Sequence, residues 1–366
     1  MNSMSLTEKQ EPKLQTKSRE NNFSVIRLTG AVFVFAGHMG LILGMQPPVL
    51  GSFPLHELGV MMLFLISGYL ITQSWLSDPH PLRYAIRRFL RLWPPFAVMI
   101  LIMVFVAGPL VSDLGIRGYF QSDYRYYLRN LCFWNVYSQP GVFTDLPMAN
   151  ITNGSLWTMF IEAGLYIVTP FLLTLLRVRG RSRLSFRFTA VLTGAAVLTD
   201  FLLRIFCSDT GLVICGMNLL TACHLAVMYL TGIFFTYEEV RKYLNLQAAC
   251  IAMFLLLFCQ ALSAPLQYLV LYLVLPYSVF SFVFAPKPFF KNQGRRPDLS
   301  YGIYLYGFFF QQLVLFIQLK YDRILGYMGN FVISMLLTLM AALLSWYLVE
   351  KPMQRFCSFL IRRWER

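Results

Sequence analysis

Ten runs of apolar residues, each long enough to cross a lipid bilayer as a helix, recur along this chain at about 23–44, 57–77, 92–112, 155–177, 187–206, 211–235, 245–263, 266–285, 299–319 and 327–350. A hydrocarbon core about 30 Å thick takes roughly 20 residues of helix to cross, and a helix satisfies its own backbone polar groups where no water is present. The pattern therefore predicts an all-α polytopic membrane protein with about ten transmembrane helices. Charge content agrees, since only 13% of the 366 residues are charged against about 25% in a soluble domain. The connections leave no space for an added soluble catalytic domain, so any active site must lie inside the bundle or at its faces.

Residues 1–22 are polar, carry Lys9, Lys13, Lys17 and Arg19, and lack any apolar period; they read as a disordered tail. A transmembrane domain then occupies 23–350 and a basic tail 351–366. No small-residue cleavage site follows the first span, which makes it an uncleaved anchor. Only one connection is long, 113–154. Within it Tyr126–Tyr137 is apolar and aromatic but too short to span, so an interfacial or re-entrant segment is expected there.

Loops that stay in the cytoplasm are enriched in Lys and Arg. Of the 31 basic residues, 25 fall in alternate connections, in the two tails and at Arg27, all on one predicted side. Both termini are thus expected to be cytoplasmic. The net charge of +14 then mostly sets topology, and nucleic-acid binding is not implied, because the charges are spread over membrane-edge loops instead of forming one face. The seven cysteines contain no C-x-x-C pair and the histidines number four, so no metal site is expected and the thiols read as packing residues.

Titratable groups within hydrocarbon are costly and mark candidate functional sites. Arg27, His38, Glu162, Asp200, Arg204 and His224 fall in the predicted spans. Asp200 and Arg204, four apart, suit an ion pair on one helix face, and His224 reads as a hydrogen-bonding residue facing a neighbouring helix. Arg27 and His38 share a stripe: eleven residues at about 100° each end about 20° past three full turns, roughly 16 Å along the axis. Depth counting puts His38 and Glu162 at similar levels below the outer surface. Two readings stand for them: a carboxylate orienting an imidazole general base, or a polar pair holding two spans together. Arg83, Arg87 and Arg91 run at i, i+4, i+8, with Arg88 beside them, before Trp93-Pro94-Pro95. This basic stripe suits either a phosphate-rich ligand or lipid headgroups.

Six motifs, in order, resemble those of the membrane acyltransferase family 3. They are Arg27-x10-His38, Ser67-Gly68-Tyr69-Leu70-Ile71, Arg88-Phe89-Leu90-Arg91-Leu92-Trp93-Pro94, the stretch from Asn153 through Trp157 to Glu162, Leu299-Ser300-Tyr301-Gly302-Ile303-Tyr304-Leu305-Tyr306, and Trp346-Tyr347-Leu348-Val349-Glu350-Lys351-Pro352. The resemblance runs from about residue 23 to 353 and implies a multi-pass O-acyltransferase of the bacterial inner membrane. Such an enzyme takes acetyl from cytoplasmic acetyl-CoA, a donor substrate rather than a bound cofactor. It passes the acetyl to a hydroxyl of a surface polysaccharide, such as an O-antigen or exopolysaccharide, or of its lipid-linked precursor.

Carried over residue by residue, the resemblance makes His38, Arg27 and Glu162 the catalytic candidates and Arg88 and Arg91 the donor-binding pair. Ser67, Tyr69, Asn153, Trp157 and Tyr301 become candidates for shaping the site or meeting the acceptor. Many members have a histidine after the last of these tyrosine motifs, where this chain has Gly307. Some carry a fused extracytoplasmic domain, for which this length leaves no room. The competing class is a transporter or flippase for a lipid-linked sugar or small solute, using the same ionisable residues as a path. It fits less well, because no repeat of the first five spans is evident in the second five.

Overall fold

A computed structural model describes residues 22–176, 185–206, 213–214, 217–285, 297–323 and 325–364. The N-terminal tail, the basic connections at 177–183 and 287–296, and Cys207 and Cys215 lie outside them.

Helix α1 (Phe23–Ile42) leads through a two-residue hairpin, β1 (Val49–Leu50) and β2 (Phe53–Pro54), into α2 (Leu55–Ser77). Helix α3 (Pro81–Ile102) passes through a π turn into the short α4 (Gly108–Val111), followed by α5 (Gly115–Gln121) and a 3-10 segment, Tyr124–Cys132. Next come α6 (Trp157–Leu176), α7 (Phe186–Phe206), the β3 (Val213–Ile214) and β4 (Met217–Asn218) pair, and α8 (Leu219–Phe234). The chain continues with α9 (Glu238–Arg241), α10 (Leu246–Leu256), α11 (Ala264–Val283), α12 (Ser300–Lys320) and α13 (Tyr327–Ser345). A second π turn, Trp346–Glu350, joins α13 to α14 (Lys351–Trp364), so the segment expected as a basic tail is helical over most of its length.

Among the described residues, eight helical stretches are long and apolar enough to cross a membrane. The expected spans at 211–235 and 245–263 are present as the shorter apolar helices α8 and α10. Large apolar side chains such as Phe171, Leu175, Phe206, Leu273 and Leu348 point outward, which suits a lipid-facing surface and would be a liability in water. Both strand pairs are confined to connections, and the fold is that of an all-α polytopic membrane protein.

The core is built on α2 and α12, the two most buried long helices. Helix α1 packs against both, α2 also packs against α8, and α12 against α13. The α2–α8 crossing is close enough that a Cβ at Gly68 would lie 2.1 Å from the Tyr229 carbonyl oxygen, and one at Gly232 would lie 2.1 Å from that of Leu65. Small residues at such crossings let backbones touch. Gly68→Val should therefore force α2 and α8 apart and cost about 1–3 kcal/mol, read as a lower unfolding midpoint in detergent.

Helix α3 starts well before the expected span at 92. Pro81 suits the first helical position, and the His80 side chain accepts from the Arg83 amide at 3.4 Å. The arginine stripe therefore rides on the membrane helix itself.

The 113–154 connection enters the bundle. Tyr119 and Tyr127 are fully buried, Phe133 stacks on Phe96 of α3, and Trp93 Nε1 donates to the Leu131 carbonyl at 3.0 Å. Beyond it the chain follows α12 downward. Gln312 Nε2 donates to the Met148 and Ile151 carbonyls at 2.8 and 3.0 Å, Asn153 Nδ2 to that of Leu305 at 2.8 Å, and the Tyr304 hydroxyl to that of Ser155 at 3.1 Å. From Gln312 back to Tyr304 is about 12 Å of helix, so α6 begins deep within the bundle.

Candidate active site

At the end of the bundle where α1 begins, a cavity of about 420 Å3 opens between α1, α2, α3, α6, α12 and the turn after α13. Arg27, Arg88, Arg91, Glu162, Asp298 and Glu350 all reach its wall. A hydrocarbon-embedded bundle concentrates six charged side chains in one place only if they neutralise one another or await a charged ligand.

The three arginines are held differently. Arg27 Nη2 lies 2.9 Å from Asp298 Oδ2 and 3.3 Å from Ser24 Oγ, while its buried Nε has no hydrogen-bond partner among the described residues. Arg88 donates to Ser74 Oγ at 2.9 Å, its guanidinium lies over the Tyr84 and Tyr166 rings, and its Nε likewise has no hydrogen-bond partner among the described residues. Arg91 stands 3.9 Å from the same Asp298 oxygen with half of its side chain accessible. Burial pushes the Asp298 carboxyl upward, but Arg27 and Arg91 outweigh it and hold the group below its ordinary range. Ser300 adds hydrogen bonds from its amide and hydroxyl to Asp298 Oδ1, at 3.3 and 2.6 Å.

The other two arginines of the stripe are absorbed. Asp78, in the turn between α2 and α3, accepts from both Arg83 and Arg87, the latter at 2.7 Å. The hydrogen bond from Arg83, with that from Arg87, lowers the Asp78 carboxyl to about 2. Because the folded-state value is depressed, this tie is complete above the ordinary carboxylate range and loosens only as pH falls toward about 2. Arg88 and Arg91 are left to face the cavity.

Glu162 is not placed against His38. It accepts a hydrogen bond from Tyr166, one turn along the same helix, and lines the arginine cavity. The depth count assumed that α6 starts at the membrane surface, whereas the preceding chain has already descended along α12. The Tyr166 carbonyl in turn accepts from Tyr84 at 3.0 Å, which ties α6 to α3. Glu350, in the π turn, accepts from Ser345 at 3.1 Å.

His38 is buried three turns up α1 from Arg27. Its ring stacks on that of His56, with centroids 5.6 Å apart and planes at 30°, and meets the Phe308 ring edge-on at 5.2 Å. Val60 and Tyr304 belong to the cavity wall, and each lies four residues, about 6 Å of helix, from His56 and Phe308 respectively. The arginine cavity thus ends one helical turn short of the histidine pair.

The remaining candidates divide. Ser67 and Tyr301 line the cavity, and the Tyr301 hydroxyl donates to the Leu92 carbonyl at 2.8 Å. Tyr69 faces elsewhere, stacked on Phe23 and accepting from Arg241 at 3.5 Å. Asn153 is occupied in fixing the descending chain, and Trp157 packs half-buried at the start of α6. Asp200 and Arg204 pair at 2.7 Å as expected. His224 joins them, since the Tyr272 hydroxyl lies 2.5 Å from both His224 Nδ1 and Asp200 Oδ2.

Compared with known proteins, residues 20–350 match the family model described as an acyltransferase domain, acyltransferase 3. The chain belongs to the acyltransferase 3 family. It is similar to Nodulation protein 10 of Rhizobium leguminosarum bv. viciae, 25% identical over 95% of this chain and 97% of that protein. It is also similar to an O-acetyl transferase of Shigella phage Sf6, 24% identical over 91% of this chain and 96% of the relative. No solved structure matches. This multi-pass membrane acyltransferase therefore carries its family domain over nearly its whole length.

Three residues of the candidate site escaped sequence reasoning. Asp298 sits in a polar connection just before the span at 299–319. Glu350 closes a motif at the edge of the last span. His56 precedes a span that read as beginning at 57. For the two carboxylates the available signal is charge balance, since arginines converging in a membrane require carboxylates nearby.

Proposed function

We propose that this acyltransferase moves an acetyl group from cytoplasmic acetyl-CoA to a hydroxyl of a surface polysaccharide or its lipid-linked precursor, across the bacterial inner membrane, with both termini in the cytoplasm. The observation that carries the reading is the cavity itself: Arg88 and Arg91 face it, and it ends one helical turn short of the buried His38 imidazole, about 16 Å along α1 from Arg27 of the same wall. A phosphate-bearing donor with a long flexible thioester arm fits that separation. The basic bias of the connections supports placing the arginine end in the cytoplasm, and the name of the phage relative supports acetyl as the acyl group.

In this mechanism Arg88 and Arg91 bind the donor phosphates by charge-assisted hydrogen bonds, and Arg27 exchanges Asp298 for phosphate. The thioester extends toward His38. Neutral His38 takes the proton of the acceptor hydroxyl as its oxygen bonds to the thioester carbon. When the tetrahedral adduct collapses, the carbon–sulfur bond breaks and the thiolate recovers the proton from the imidazolium. Glu162 and Tyr166 shape the donor cavity and do not orient the base.

The test is expression of the chain in a polysaccharide-producing bacterium, with NMR of the purified glycan. New O-acetyl methyl signals are expected. Glycans without them, together with accumulation of a labelled solute, would instead favour transport.

A further inference from the structure

Acyl transfer with His38 as base, the reading on which this inference rests, requires a hydrogen-bond donor for the carbonyl oxygen, where negative charge develops as the hydroxyl adds. The arginines stand too far away, since Arg27 lies about 16 Å along α1 from His38 and Arg88 and Arg91 share its cavity. Nearby side-chain amides are committed to backbone carbonyls: Gln311 Nε2 to Phe35 at 2.7 Å, Gln312 Nε2 to Met148 and Ile151, and Asn153 Nδ2 to Leu305. Backbone amides around His38 are taken up within α1. His56 differs. Its ring stacks on His38, and its Nδ1 is buried with no hydrogen-bond partner among the described residues.

The fold makes room for this contact. A Cβ at residue 37 would lie 2.7 Å from His56 Nδ1 and 2.5 Å from its backbone nitrogen, so Gly37 is what lets the His56 ring sit beside the next residue, His38. A buried nitrogen without a partner is destabilising, a cost that an incoming oxygen would relieve. We propose that His56, as the Nδ1–H tautomer, is the oxyanion donor of this acyltransferase. As His38 takes the hydroxyl proton and the new carbon–oxygen bond forms, the carbonyl electron pair moves onto oxygen and accepts from His56 Nδ1–H. When the carbon–sulfur bond breaks, that pair re-forms the carbonyl and the proton on His38 passes to the thiolate. His56 keeps its own proton throughout.

The experiment measures steady-state transfer by the purified full-length enzyme, with acetyl-CoA and an acceptor glycan, for His56→Ala, His56→Phe and His56→Asn. Loss of a donor that acts only in the transition state should lower kcat roughly 10²–10³-fold in the Ala and Phe variants, with KM for acetyl-CoA unchanged. Asn, whose Nδ2–H falls near the position of Nδ1, should recover about tenfold or more of that loss. His56→Phe retaining kcat within about threefold of wild type while His38→Ala is inactive would overturn the assignment. So would equal losses in all three variants accompanied by a lower unfolding midpoint, which would mark a structural role. If His38→Ala itself remains active, the failure belongs to the underlying base assignment and not to His56.

Discussion

His38→Ala is expected to leave a folded protein that transfers acetyl roughly 10²–10⁴-fold more slowly, the range that a positioned general base supplies. The imidazole is buried against His56 and Phe308, so truncation opens a space in the core, and a lower unfolding midpoint should accompany the lost activity. His38→Gln separates the two effects. It fills most of the volume and can hydrogen-bond, but it cannot carry a proton at neutral pH, so its stability should approach wild type while its rate stays low. Donor binding provides a further check, because the arginines proposed to hold the phosphates line a cavity whose Arg27 lies about three turns away. Acetyl-CoA should bind both variants with wild-type affinity. A variant that lost donor binding and rate together would show that His38 acts by holding the donor cavity in shape.

The bundle and the Arg27–His38 stripe were legible in sequence because each depends on local periodicity. Length and apolarity locate eight of the ten expected spans as long helices among the described residues, and a spacing of eleven places Arg27 and His38 on one helix face wherever that helix packs. Glu162 was legible as a buried carboxylate but not as the partner of Tyr166. Its depth depends on how far the chain has already descended, and that is set by Gln312, Leu305 and Tyr304 on a helix about 150 residues later. The division of the arginine stripe was hidden for a related reason. A helical wheel groups Arg83, Arg87 and Arg91, yet Asp78, five residues before Arg83, claims the first two, while Asp298 meets the third. His56 illustrates the opposite case. Nothing local marks a histidine at the mouth of a span, and only the close approach of α2 to α1 at Gly37 makes it a neighbour of His38.

That division of the arginines yields the second large effect. Replacing both Arg88 and Arg91 by alanine should raise KM for acetyl-CoA by about 10²-fold or more, since each removed charge-assisted hydrogen bond is worth about 1.5–3 kcal/mol. At saturating donor, kcat should change little, because phosphate binding is equally present in the ground and transition states. The double variant Arg83→Ala/Arg87→Ala has the same loss of charge on the same helix and is the matched control. Those side chains are occupied by Asp78 and absent from the cavity wall, so KM should stay near wild type. Lysine tests geometry separately from charge. Arg91→Lys should keep part of the affinity, as a point charge still attracts phosphate but cannot bind it bidentately. Equal KM increases in the two alanine pairs would mean that the stripe attracts the donor only through its summed field, and a tenfold rise in ionic strength should then erase the difference between either variant and wild type. A specific site predicts that the Arg88/Arg91 deficit persists in salt, since these groups meet the phosphates inside a cavity walled by α1, α2, α6 and α12, where screening ions have little access.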